Sequence, residues 1–147
     1  MELIQEREHY STTVLPQILI MEDEVSVAKG LEVALTENGY IVDLAMTGKS
    51  ALDSFRKKYF DLLVADLRLP DIDGMEVIKK VKNERPDTGV IVITGYSTIP
   101  SAVESMRLGA YDYLPKPFTE EEFMAVVKDA LEAQKPKFVE APEIVHL

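Results

Sequence analysis

Five short apolar runs recur along this chain, each followed by a stretch with helical spacing. The runs are Ile18–Met21, Ile41–Met46, Leu62–Leu67, Val90–Thr94 and Tyr111–Leu114. Four of them are rich in Ile, Val and Leu without clean alternation, the pattern of strands covered on both faces. Val27, Leu31 and Leu35 share one face of the first helical stretch, which stops at Asn38-Gly39. Ala51, Leu52 and Phe55 mark the second. Val77, Ile78 and Val81 mark the third, which stops before Pro86. Ala102, Val103 and Met106 mark the fourth, closed by Gly109. The fifth runs from Thr119 to about Gln134. Thr119 with Glu122 forms a capping box, and Phe123, Val126, Val127, Ala130 and Leu131 supply its apolar stripe.

Strand then helix, repeated five times, means a parallel sheet with helices on both faces. Residues 17–135 are too few for an eight-stranded barrel and short for a full dinucleotide-binding fold. The expectation is an α/β, doubly wound, five-stranded parallel sheet of order 2-1-3-4-5. Residues 1–16 are polar, end at Pro16 and read as an N-terminal tail. Residues 136–147, with two Pro and several apolar residues, read as a C-terminal tail or linker.

Composition narrows the function classes. The 147 residues contain no Cys, which removes disulfides, thiol nucleophiles and thiolate metal sites. A formal net charge of -10 repels nucleic acid and anionic lipid, whose phosphates are neutralised by Lys and Arg. No stretch approaches the ~20 apolar residues of a membrane span. The first residues lack the apolar core of a secretory signal, so the expected location is cytoplasmic. His9 and His146 lie in the flanks without partners, against a histidine metal site or triad.

Open parallel sheets place ligands outside the carboxyl ends of their strands, where strand order reverses. Glu22, Asp23 and Glu24 follow the first run, and Asp66 stands near the end of the third. Thr94 and Gly95 end the fourth, and Lys116 with Pro117 follows the fifth. In a 2-1-3-4-5 sheet the first and third strands are neighbours, so Glu22 or Asp23 lies beside Asp66. Carboxylates crowded together repel unless a cation joins them. A hard divalent ion such as Mg²⁺ suits oxygen ligands of this kind, and it often shares them with phosphate oxygens. A phosphoryl group in transfer carries charge on three peripheral oxygens. Mg²⁺, the Lys116 ammonium and the Thr94 hydroxyl supply one partner for each. Gly95 leaves room for the group, and Asp66 is the nucleophile that would form an aspartyl-phosphate.

Each residue also has a plainer account. Asp66 alone is a strand-end residue or a helix cap, Thr94 a β-former and Lys116 a surface lysine. Glu22, Asp23 and Glu24 could enrich a helix N-terminus in negative charge, the preferred account for Glu24. Asp73 reads as a helix N-cap and Gly74 as a tight entry. The functional reading rests on conjunction, because four separate strand ends supply acid, acid, hydroxyl and ammonium.

The motifs ILIMEDE, VADLRLPDIDG, VIVITGYS and YDYLPKPF together resemble the receiver domain of two-component response regulators, from Ile18 to about Ala133. AYDYLPKPF is most similar to receivers of the nitrogen-regulation class. The resemblance implies a flavodoxin-like receiver fold and a signalling role rather than an enzyme's. Asp66 would accept phosphoryl from a phosphohistidine on a sensor histidine kinase or phosphotransfer protein. Glu22 and Asp23 match the acidic pair that holds Mg²⁺, and the backbone carbonyl of Arg68 matches a further metal ligand. Thr94 and Lys116 match the switch hydroxyl and the phosphate-binding lysine. Tyr113 matches the aromatic that swings inward when Thr94 engages the phosphoryl group. The resemblance also implies a cis Lys116–Pro117 bond and possible homodimers through the fourth helix, fifth strand and fifth helix. Glu22 stands where Asp is commoner. Arg68 and Tyr96 occupy positions that vary in the family and tune hydrolysis of the phosphoryl-aspartate.

Four other readings compete. A haloacid-type phosphatase also uses Asp, Mg²⁺ and Lys, but its nucleophile follows the first strand in a D-x-D pattern, where this chain has Glu-Asp-Glu. A flavodoxin-like binder needs a phosphate-cradling loop at that point, and this loop is acidic. A receiver that has lost phosphorylation would act only as an adaptor, and the complete acidic pocket speaks against it. A calcium loop around PDIDG lacks the spaced ligands.

Overall fold

The computed structural model describes residues 14–134. Strands β1 (Gln17–Met21), β2 (Ile41–Ala45), β3 (Leu62–Asp66), β4 (Gly89–Thr94) and β5 (Asp112–Pro115) alternate with five helices. These are α1 (Val25–Glu37), α2 (Gly48–Lys57), α3 (Gly74–Glu84), α4 (Ile99–Arg107) and α5 (Glu120–Gln134). All strand pairs are parallel, in the order β2-β1-β3-β4-β5. The α/β architecture and strand order match the sequence expectation. The two expected tails fall largely outside the described residues, as do His9 and His146.

Every residue of β3 and β4 is buried, so their side chains sort by parity onto two covered faces. Leu19, Met21, Leu63, Ala65, Val90 and Val92 pack with Phe55, Val77 and Ile78 of α2 and α3. Ile18, Ile20, Leu62, Val64, Ile91 and Ile93 pack with Leu35, Phe123 and Val127 of α1 and α5. Two-sided burial explains why the apolar runs lack alternation.

The helix ends follow from local chemistry. Thr47 and Thr98 each accept from the backbone N–H three residues on, at Ser50 and Ser101, and those serines return the bond. The expected box of Thr119 and Glu122 is present. Asp73 accepts from the Met75 N–H, as expected of an N-cap. Glu24 occupies the N-cap position of α1 without a side-chain capping bond.

Some boundaries differ from the sequence reading. β2 ends at Ala45, because Thr47 already caps α2. Asp66 is the last residue of β3, whereas the apolar run continues to Leu67. β5 begins at Asp112 and ends at Pro115. In α4 only Ser105 is buried, while Val103 and Met106 are both 48% exposed and Ile99 is 80% exposed. The periodicity found the helix, but its apolar face is solvent-exposed in this chain.

Candidate functional site

The register brings the chemistry together. Met21 pairs with Ala65 across β1 and β3, so Glu22 and Asp66 follow side by side. Thr94 pairs with Pro115 across β4 and β5, and the Lys116 amide donates to the Thr94 carbonyl at 2.8 Å. Four strand ends therefore share one rim.

Carboxylate oxygens of Glu22, Asp23 and Asp66 all lie within 4.8 Å of one another. Glu22 and Asp66 are buried, and Asp23 is exposed. The Lys116 ammonium bridges the buried pair, donating to Glu22 Oε1 at 2.7 Å and Asp66 Oδ2 at 3.1 Å. The Glu24 amide donates to Glu22 Oε2 at 3.0 Å, and the Arg68 amide to Asp66 Oδ1 at 3.1 Å. Burial pushes the Glu22 carboxyl above its ordinary range, against the downward pull of Lys116 and the Glu24 amide. Burial alone would lower Lys116, but its bonds to Glu22 and Asp66 outweigh it, so the ammonium is held on more firmly than usual.

Three carboxylates against one ammonium leave two formal negative charges. The donors are hard oxygens, which suit a divalent cation such as Mg²⁺. The site residues therefore fit that ion.

Gly74 holds the acidic strand end in place. A Cβ there would fall 2.5 Å from the Asp66 carbonyl oxygen and 2.6 Å from Leu67 Cα. A Cβ at Gly95 would meet nothing within 4 Å, so packing of the chain itself does not require glycine there. The Thr94 hydroxyl accepts from the Tyr96 amide at 3.0 Å. Tyr113 is half-buried, and its hydroxyl lies 2.7 Å from Ser101 Oγ. The Lys116–Pro117 bond is cis, as the resemblance implied.

Two contributors escaped the sequence reading. Ser101 meets Tyr113 from the first turn of α4, and the Thr98-x-x-Ser101 spacing was the available signal. Asp71 accepts from the Gly48 and Lys49 amides, both at 2.9 Å, and ties the β3–α3 loop to the start of α2.

Residues 18–128 match the family model for the response regulator receiver domain. The chain belongs to this family. It is 36% identical over 135 residues to the regulatory protein AtoC of Escherichia coli, covering 92% of this chain and 28% of that protein. It is 39% identical over 123 residues to the response regulator ArlR of Staphylococcus aureus, covering 84% of this chain and 56% of that protein. The chain thus spans about half or less of the curated relatives it matches. A CheY-like receiver domain protein from Methanospirillum hungatei superposes with a TM-score of 0.81 at 30% identity, covering 83% of this chain and 98% of that one. This receiver domain of two-component systems has the fold of its solved relatives, and among the described residues no helix is long and apolar enough to cross a membrane.

Proposed function

We propose that residues 17–135 form a cytoplasmic phosphoacceptor domain in which Asp66 takes a phosphoryl group from a histidine on a sensor kinase or phosphotransfer protein. An Asp66 carboxylate oxygen attacks phosphorus, the P–N bond breaks, and the imidazole nitrogen leaves with the electron pair and takes up a proton. Lys116 neutralises one oxygen of the group, and Thr94 leaves the Tyr96 amide to hydrogen-bond another. Glu22, Asp23, Asp66 and the Arg68 carbonyl would hold Mg²⁺. When bound, the ion supplies charge neutralisation to the phosphoryl oxygens and to the crowded carboxylates. Gly95 keeps the approach open. Thr94 then vacates space into which the Tyr113 ring turns, and the surface of α4, β5 and α5 changes as a population shift. That surface exposes Ile99, Val103, Met106 and Tyr111, which suits a partner or a second copy of the chain.

The observation that carries this reading is one ammonium bridging two buried carboxylates beside a third. Acetyl phosphate with Mg²⁺ should label the protein once, at Asp66, and Asp66→Asn should take no label. Stoichiometric labelling of that variant elsewhere would defeat the assignment.

A further inference from the structure

The hydroxyl of Ser101 stands at the junction of two structures. It belongs to the capping box of α4, where it lies 3.2 Å from the Thr98 amide and 3.0 Å from Thr98 Oγ1, and donates to the Thr98 carbonyl at 3.0 Å. The same oxygen lies 2.7 Å from the Tyr113 hydroxyl on β5. A hydroxyl has one proton and two lone pairs. If the proton goes to the Thr98 carbonyl, three donors compete for two acceptor sites: the Thr98 amide, the Thr98 hydroxyl and the Tyr113 phenol.

We propose that Ser101 is the positioning residue for Tyr113. It fixes where the phenol sits in the unphosphorylated domain, and it makes departure of the ring and rearrangement of the first turn of α4 a single event. Departure of Tyr113 frees a lone pair for the Thr98 cap, so the bond lost on one side is partly regained on the other. The helix is suited to respond. Ser105 is its one buried residue, and Ile99, Val103 and Met106 contribute little to the core. Polar bonds hold much of it, including the Ser105 hydroxyl on the Ser101 carbonyl at 2.8 Å. A single hydrogen bond therefore has leverage here that it would lack in α3, where Val77, Ile78 and Val81 are all buried. The inference rests on the proposed function only for the event that moves Tyr113, since the contact itself belongs to the resting protein.

The test uses the full chain, unphosphorylated and free of Mg²⁺, with backbone amide resonances of residues 98–102 and 113 followed by NMR. Ser101→Ala should displace the Tyr113 resonance, and Tyr113→Phe should displace those of the α4 first turn. Thr98→Ala removes the other arm of the cap and should perturb residues 98–101 while leaving Tyr113 in place. Labelling by acetyl phosphate should change in the same direction in Ser101→Ala and Tyr113→Phe, by about five-fold, the equilibrium weight of one ordinary hydrogen bond. The double variant should change no more than either single one. An unmoved Tyr113 in Ser101→Ala, an equal displacement in Thr98→Ala, or additive labelling effects would each overturn the proposal. If Ser101→Ala does not fold, Tyr113→Phe decides: silent α4 amides in that variant overturn it too. Failure of the wild-type protein to label at Asp66 would end the phosphoacceptor reading, yet the resting-state resonances would still decide the role of Ser101.

Discussion

The guanidinium carbon of Arg68 lies 3.2 Å from the centre of the Tyr96 ring. The backbone amides of these two residues each hold a side-chain oxygen at a strand end: Arg68 donates to Asp66 and Tyr96 to Thr94. One side-chain contact thus clasps the loop after β3 to the loop after β4, next to the strand ends that carry Asp66 and Thr94. A cation–π contact at an exposed position contributes about 0.5–1 kcal/mol. Arg68→Ala and Tyr96→Ala should each speed loss of phosphoryl from labelled protein by about two- to five-fold, because the opened clasp admits water. The double variant should lose phosphoryl no faster than the quicker single one. Independent, multiplying effects in a hydrolysis time course would show that the two side chains do not act as a pair.

Lys116 compensates a buried carboxylate in addition to its proposed role at the phosphoryl group. Lys116→Met leaves the Glu22 side chain, fully buried beside Asp66, without its charged donor. The stability in metal-free buffer should fall by about 1–3 kcal/mol. Mg²⁺ binding to the native state stabilises by mass action, and it should restore more to this variant than to the wild type, since it takes over the neutralising role. Urea midpoints with chelator and with saturating Mg²⁺ give the comparison. Equal gains in both proteins would mean that the ion and the ammonium do not share the acidic pair.

The acidic pair with Lys116 was legible in the sequence because strand order fixes it. Once β1 and β3 are neighbours, the residues after them must meet, whatever their rotamers. The pairing of Ser101 with Tyr113 was not legible, since it depends on two side-chain torsions and on where α4 lies against β5. Val103 and Met106 illustrate a different gap. Helical spacing shows that residues share a face, and it cannot show whether the chain itself covers that face. Asp71 was opaque for a third reason. Its partners, Gly48 and Lys49, belong to an earlier helix, so no local pattern announces the bond.

Asp71 gives a pH signature. The amides of Lys49 and Gly48 hold its carboxyl below the ordinary value of 3.8. A carboxylate depressed in the folded state contributes stability that is complete above its unfolded value and is lost as pH falls through its folded one. The wild-type protein should therefore lose an increment of stability below about pH 3.8 that Asp71→Asn lacks at every pH. Denaturation midpoints measured downward from pH 6 should show the two proteins converging in acid. A gap of constant size across that range would mean that the charge of Asp71 is not what anchors the loop.

Two glycines should respond to the same substitution with opposite signs. At Gly74 an added Cβ collides with backbone, at Asp66 and Leu67, and backbone at the end of a fully buried strand has little room to yield. Gly74→Ala should cost about 1–3 kcal/mol and should slow labelling, because the displaced atoms belong to Asp66 itself. At Gly30, inside α1, an added Cβ meets nothing within 4 Å. Gly30→Ala should stabilise by about 0.5–1 kcal/mol through helix propensity and leave Asp66 labelling unchanged. Denaturation midpoints and labelling rates on both variants separate the two effects. Gly74→Ala with wild-type stability and wild-type labelling would show that the close approach of α3 to Asp66 is not what fixes the end of β3.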